Sequence, residues 1–320
     1  MRSILAVSDL TPASDRALSA AAVLAIRSGA GLHVVHPMEI VGMTLRDALQ
    51  ADVGRRIEDA KSALARQVRR VVPAGLAPAS CALGFNQAGD TVRVRAREVG
   101  ADLVVLGAGD PDTPGGVRHL RALHDAAGAA AAPCLLVRNP LNRPFIRVLL
   151  PLSAAEVGQG VLAHACDWLS SLDPPTPTEL RVLHVTSGPR EWRELAPELD
   201  RELRRAGGQR PWRARLRIRR SIRWNTVPHT EILRVAAEET PDLVMLGPAG
   251  GVASSAGCPE DARAILLHRL PCSVLVLPGT LAPWPDTDGA GAPASSTDPE
   301  MPTREAVEPE ATMELAAAGD

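Results

Sequence analysis

Four arginines, at 213, 215, 217 and 219, alternate with Trp212, Ala214, Leu216 and Ile218. On an extended strand this period of two puts all four guanidinium groups on one face. Such a stripe has two uses: a charged sheet edge that resists edge-to-edge aggregation, or a surface for nucleic acid or another polyanionic partner. The histidines offer less. His33 and His36 lie three apart on one apolar strand and so point to opposite faces, which disfavours a shared metal. His36 and His184 close equivalent strands and read as structural hydrogen-bonding groups rather than general bases. Lys61-Ser62 follows Ala60 with no glycine loop, so it is no phosphate-binding Walker motif, and neither G-x-S-x-G nor H-E-x-x-H occurs. Cysteines at 81, 134, 166, 258 and 272 form no CxxC pair and no zinc spacing, which leaves them as small buried apolar side chains.

The elements that carry these residues alternate in type. Ile4-Leu-Ala-Val-Ser-Asp9 reads as a buried strand ending in an acid. Thr11-Pro12 then caps and opens a helix bearing Leu18, Ala21, Ala22 and Ala25. A strand over 32–36 follows, then a helix over about 45–71, a strand near 78–84, a helix over about 90–99, the strand 102–106, an alanine-rich helix and the strand 134–137. The same order returns: strand 148–152, a helix with Leu162, Trp168 and Leu169, strand 180–184, a charged helix, strand 212–224, a helix through Ala236, strand 242–246, a helix and strand 273–276. Strands alternating with helices predict parallel sheets covered on both faces.

This order is a duplication. Glu98-Val-Gly-Ala-Asp102-Leu-Val-Val-Leu-Gly107 recurs as Glu238-Glu-Thr-Pro-Asp242-Leu-Val-Met-Leu-Gly247, with acid, apolar run and terminal glycine in register. A repeat of this length means two copies of a whole domain, not a solenoid unit. We place domain 1 at 1–139, a proline-marked linker at 140–145, domain 2 at 146–279 and a tail at 280–320.

The first strand with its terminal Asp9, the second strands ending in His36 or His184, the Asp-Leu-Val-x-Leu-Gly runs, and Pro133-Cys-Leu-Leu-Val137 or Cys272-Ser-Val-Leu-Val276 carry a resemblance. In this order, twice over, they resemble the universal stress protein family in its tandem two-domain form across residues 1–279. The resemblance implies two doubly wound, five-stranded parallel-sheet α/β domains of Rossmann-like type, packed about a pseudo-twofold axis through strands 134–137 and 273–277. It also implies a stress-linked regulatory or binding role through an unknown protein partner, with no catalytic residue.

Members of that family that bind ATP carry Gly-x2-Gly-x9-Gly-Ser/Thr after the fourth strand and an aspartate at the end of the first. Glycines let backbone amides approach the phosphates, and the next helix offers its N-terminus. At the four positions of that motif the first copy has Gly107, Asp110, Leu120 and Arg121, and the second has Gly247, Gly250, Glu260 and Asp261, with Ser153 replacing Asp9. A carboxylate about 4 Å from a phosphate costs roughly 4 kcal/mol per charge pair, more than the roughly 1.5–3 kcal/mol of a charge-assisted hydrogen bond. The cradles therefore look largely degraded, and no cofactor is expected in the second. An ATP-binding switch or slow ATPase in the first copy is the alternative, through Asp9, Leu106, Gly107, Arg118 and Arg121, with Gly247 and Gly250 as the remnant of the second site. Against it stands Asp9 as a mere cap of the following helix.

Composition sets the remaining bounds. Residues 281–320 carry nine acids and Arg304, a net of −8, which leaves +6 on residues 1–280. This Pro-, Ala- and Glu-rich tail reads as disordered, with the arginine-bearing edge strand as a place for it to rest. Tyrosine is absent and the five tryptophans all lie after residue 150. Aromatic stacking platforms for single-stranded nucleic acid are thus lacking in the first half. No stretch approaches the roughly 18 apolar residues of a membrane span, and the N-terminus lacks a secretory signal. A cytoplasmic protein is expected, either a pseudo-twofold monomer or a homodimer.

Overall fold

The computed structural model describes residues 1–38, 51–109, 132–141, 145–172, 177–208, 216–248, 262–278 and 312–315. The first half runs β1 (Ser3–Val7), α1 (Pro12–Ser28), β2 (Gly31–Pro37), α2 (Ala51–Val71), β3 (Ser80–Gly84), α3 (Ala88–Glu98), β4 (Leu103–Gly107) and β5 (Cys134–Val137). The second runs β6 (Arg147–Pro151), α4 (Val161–Ser171), β7 (Thr178–Thr186), α5 (Pro189–Gly208), β8 (Leu216–Trp224), α6 (Pro228–Glu239), β9 (Leu243–Leu246), α7 (Ala262–Arg269) and β10 (Ser273–Val276). A last strand, β11 (Thr312–Leu315), comes from the tail.

The strand order is β11-β3-β2-β1-β4-β5-β10-β9-β6-β7-β8, one sheet in which each half contributes five parallel strands in the same relative order. The two sets meet where β5 and β10 pair antiparallel. Corresponding residues lie 140 apart in this part of the sheet: Val104 pairs with Cys134 as Val244 pairs with Val274. Leu135 therefore faces its own counterpart Leu275 across the junction, and a twofold relation passes through that pair. In this register Cys134 corresponds to Val274 and Pro133 to Ser273.

The strands read as near-continuous apolar runs because both faces are covered. α1, α2, α4 and α5 bury one face against Ile4, Val105, Leu135, Leu150 and Leu275. α3, α6 and α7 bury the other against Leu5, Val104, Leu136, Val244 and Val274. Both cores run unbroken through the β5–β10 junction, so the halves share their apolar interior.

The repeated acid has a structural task. Asp102 Oδ2 accepts the backbone N–H of Arg2 and of Ser3 (2.5 and 3.1 Å). Asp242 Oδ2 likewise accepts those of Ile146 and Arg147 (3.0 and 2.9 Å). Each carboxylate thus ties the entry of its half's first strand to the entry of the fourth. The halves differ just upstream. Gly100 adopts φ +56° there, whereas its counterpart Thr240, the residue after α6, adopts φ +44°. A β-branched side chain in the left-handed region is strained. We expect Thr240→Gly to raise stability by about 0.5–1 kcal/mol even after the added freedom of the unfolded chain, read as a higher urea midpoint with unchanged slope.

The tail departs from expectation in one place. Residues 279–311 and 316–320 lie outside the described residues, but Thr312–Leu315 pairs antiparallel with β3, Met313 opposite Leu83. The strand sits on the edge opposite to the arginine-bearing β8, where the sequence had suggested the tail would rest. Among the described residues no helix is long and apolar enough to cross a membrane.

Candidate functional site

In a doubly wound sheet ligands meet the carboxyl ends of the strands, and in the first half that edge brings together Asp9, Leu106 and Gly107. Asp9 follows β1, and its Oδ1 accepts both the N–H (3.0 Å) and the hydroxyl (2.5 Å) of Thr11, the residue that caps α1. Asp9 thus holds the N-cap residue Thr11 and is not itself the N-cap of α1, which has no side-chain cap hydrogen bond. Leu10 is held at φ +64° between them. Leu106 is buried and forms wall, not surface. Gly107 is a packing glycine: a Cβ there would lie 2.2 Å from the Ala13 carbonyl oxygen in the first turn of α1. A buried network fixes this loop from behind. Ser8 Oγ donates to Gln67 Oε1 (2.5 Å), and Gln67 Nε2 donates to Ser14 Oγ (3.1 Å) and Asp15 Oδ1 (2.7 Å). Arg70 binds the same Asp15 carboxylate, so α2 sets the start of α1.

The second half has rebuilt this corner. Residues here lie 144 after their counterparts, as Ile4 and Val148 show by pairing with Leu103 and Leu243. Glu156 thus takes the place of Pro12, yet α4 begins only at Val161, after turns with Gly158 at φ +83° and Gly160 at φ +78°. Glu156 folds back so that its Oε2 accepts the Ser153 N–H (3.0 Å) and hydroxyl (2.6 Å), and it is 1 % exposed. Its other oxygen lies 2.3 Å from where a Cβ on Gly247 would stand. The space above the glycine at the end of β9 is therefore filled by the protein's own carboxylate. Arg263 of α7 donates to the Pro248 carbonyl beside it (2.9 Å). Burial pulls the Arg263 pKa down, and the nearby Glu156 charge opposes that shift.

Glu202 of α5 is the second half's analogue of Gln67: it accepts the Gly158 N–H (3.2 Å), Gly158 being the counterpart of Ser14. Its Oε1 is buried without a partner, and burial raises its pKa above the usual carboxylate value. Protonated in the fold at a pH where the unfolded chain has ionised, Glu202 contributes stability below about pH 4.5 that is lost as pH climbs through its raised folded pKa. Glu202→Gln should match the native chain in acid and exceed it at neutral pH, by an amount on the order of 1 kcal/mol. Urea melts at several pH values check this.

The other chemistry-bearing residues are occupied. His36 Nδ1 donates to the Ser8 carbonyl (2.7 Å) and His184 Nδ1 to the Leu152 carbonyl (2.8 Å), equivalent positions beyond β1 and β6. His33 meets Ser80 Oγ instead. Cys134, Cys166 and Cys272 are buried; burial pushes the thiols of Cys134 and Cys272 up to about 12, which keeps them protonated and unreactive. β8 is an edge strand, and three of its arginines face carboxylates: Arg219 meets Glu179 (3.6 Å), Arg220 meets Asp200, and Arg223 meets Glu231 (3.7 Å) and Glu239 (3.9 Å). Two clefts, of about 380 and 440 Å³, open at the amino ends of the second half's strands, around Arg147, Thr240 and Pro241, away from the candidate site. Arg118, Arg121, Gly250, Glu260 and Asp261, with Asp110, Leu120, Arg213, Arg215 and Cys258, lie outside the described residues.

Sequence reasoning missed Glu156, Gln67 and Arg16. Ser153-x-x-Glu156 is a capping-box pattern and was open to recognition. Nothing local marks Arg16, whose Nη2 reaches the Ala108 carbonyl beyond β4 (3.2 Å).

Comparison with known proteins agrees with this geometry. Residues 1–138 match the profile of the universal stress protein family. A universal stress protein from Archaeoglobus fulgidus DSM 4304 superposes with TM-score 0.58 at 14% identity, over 87% of this chain and 98% of that one. A Pseudomonas aeruginosa UCBPP-PA14 protein assigned to the same class gives TM-score 0.50 at 18% identity, over 87% of this chain and 93% of that one. At such identities the likeness is one of fold, and it extends over both halves. No curated protein matches the chain.

Proposed function

We propose that this chain is a non-enzymatic, stress-linked binding or regulatory protein of the universal stress type, with the nucleotide cradle of its second half closed by Glu156. An adenine nucleotide such as ATP would then be confined to the carboxyl edge of the first half, beside Asp9 and Gly107. The observation that carries this reading is the buried Glu156 carboxylate above Gly247. A phosphate brought to that spot would displace a tied side chain and meet like charge, at roughly 4 kcal/mol per pair. The reading without turnover draws support from His36 and His184, each bonded through Nδ1 to a backbone carbonyl, and from the protonated thiols of Cys134 and Cys272. Of the four alternating arginines, Arg219 faces an internal carboxylate, Glu179, and Arg213 and Arg215 lie outside the described residues.

Equilibrium dialysis of the full chain with labelled ATP tests the reading. We expect at most one ATP per chain, lost in Asp9→Ala, with no phosphate release. Two ATP per chain, or sustained hydrolysis, would overturn it.

A further inference from the structure

We propose that Thr312–Leu315 is a removable guard on the β3 edge of the sheet, and that without it β3 pairs with β3 of a second copy of this chain. The two ends of the sheet are defended in different ways. β8, the last strand at one end, carries Arg217, Arg219, Arg220 and Arg223. A second copy meeting it there would set arginines against arginines, and like charges on facing strands oppose pairing. β3 has no such defence. Ser80-Cys-Ala-Leu-Gly84 is uncharged, and the chain holds no Asp, Glu, Lys or Arg anywhere from Val71 to Gly89. An uncharged, largely apolar edge is a template for another strand. What covers it is β11, paired antiparallel from Thr312 opposite Gly84 to Leu315 opposite Cys81.

The sense of that pairing points to the partner. Two identical copies that meet about a twofold axis set a strand against itself, which makes the pair antiparallel. Antiparallel is the sense in which β3 takes β11, although its other neighbour, β2, is parallel. The sheet already joins equivalent strands in this way once, where β5 meets β10. A second β3 therefore offers the backbone groups that the tail now supplies. Tethering decides which of them wins. β11 lies six strand spacings from β10, a distance of about 29 Å, and the stretch 279–311 extends over as much as about 110 Å, so the tail returns to its own sheet with length to spare. A tethered segment acts at up to about millimolar effective concentration, so at about 10 μM chain a pairing of equal strength favours the tail over a second copy by about a hundredfold. Four residues of pairing are little to undo. Cleavage or capture of the tail thus exposes an edge suited to self-assembly.

Met313→Pro in the full chain tests the guard, because proline removes a backbone N–H and resists a strand ladder while residues 1–278 stay as they are. Sedimentation velocity over a micromolar concentration series reads the assembly state. We expect the native chain to stay monomeric and the variant to dimerise about tenfold or more tightly. Hydrogen exchange over residues 80–84 locates the contact: it should be slow in the native monomer, faster in the dilute variant, and slow again in the variant's dimer. A variant as monomeric as the native chain overturns the proposal, and so does a native chain that dimerises as readily as the variant. A dimer protected over 216–224 instead of 80–84 overturns it by placing assembly at β8. Equal exchange over 80–84 in the native monomer and the dilute variant overturns it by showing that the tail does not guard β3.

Discussion

Glu156→Ala should lower the stability of the chain by about 3 kcal/mol. A surface glutamate replaced by alanine would change stability by no more than about 0.5 kcal/mol, and a glutamate beside a helix start looks like one in the sequence. In the fold it is buried, and a single oxygen takes both the N–H and the hydroxyl of Ser153. Removing it leaves two buried donors without an acceptor and opens a void over Gly247. Glu156→Gln keeps an oxygen at the same reach and should recover about half of the loss. Urea unfolding with unchanged slope is the measurement. A change below about 0.5 kcal/mol for the alanine variant would show that the carboxylate does not hold this corner together.

Gly107→Ala should cost about 3 kcal/mol and Gly247→Ala distinctly less, although the two glycines end the same repeated motif. At Gly107 a methyl group meets the Ala13 carbonyl at 2.2 Å and the Ser14 nitrogen at 2.9 Å, which are backbone atoms of α1. The helix itself has to move, and with it Ala17, Leu18 and Ala21 in the core. At Gly247 the obstruction is the end of the Glu156 side chain at 2.3 Å, which can rotate, with the Val161 Cγ1 behind it at 3.1 Å. Gly247→Ala should therefore loosen Glu156 from Ser153 and cost about 1–2 kcal/mol. Equal costs would mean that the two corners are built alike, contrary to the rebuilt turn before α4.

The duplicated motif was legible because each of its fixed points has a local physical task that recurs. Asp102 and Asp242 each gather two backbone N–H groups, Gly107 and Gly247 each admit the segment after the first strand, and His36 and His184 each bind one backbone carbonyl. The apolar runs and the cap at Thr11-Pro12 gave the element order for the same reason. What was not legible depends on contacts far along the chain. That Glu156 comes to rest above Gly247 follows from α4 starting at Val161, and its Ser153-x-x-Glu156 pattern speaks only of the cap. The alternation from Arg213 to Arg219 was visible, but not the carboxylates of β7, α5 and α6 that face Arg219, Arg220 and Arg223. Pairing of Thr312–Leu315 with β3 lies in a tail whose composition argues for disorder.

The same distinction governs the site. The sequence placed the loss of the second cradle at both ends, in Glu260 and Asp261, which lie outside the described residues, and in Ser153 where the first half has Asp9. The carboxylate that lies over Gly247 in the fold is that of Glu156, held by Ser153. An internal carboxylate at this place is compatible with a stable fold, because it accepts the Ser153 N–H that would otherwise be unpaired.

A crystal of the full chain soaked in millimolar ATP tests this division between the halves most directly. The account predicts Glu156 still bound to Ser153 with no ligand density beside Gly247, and any nucleotide density confined to the edge formed by Asp9, Gly107 and Arg16. A triphosphate lying over Gly247, with Glu156 swung away, would contradict it.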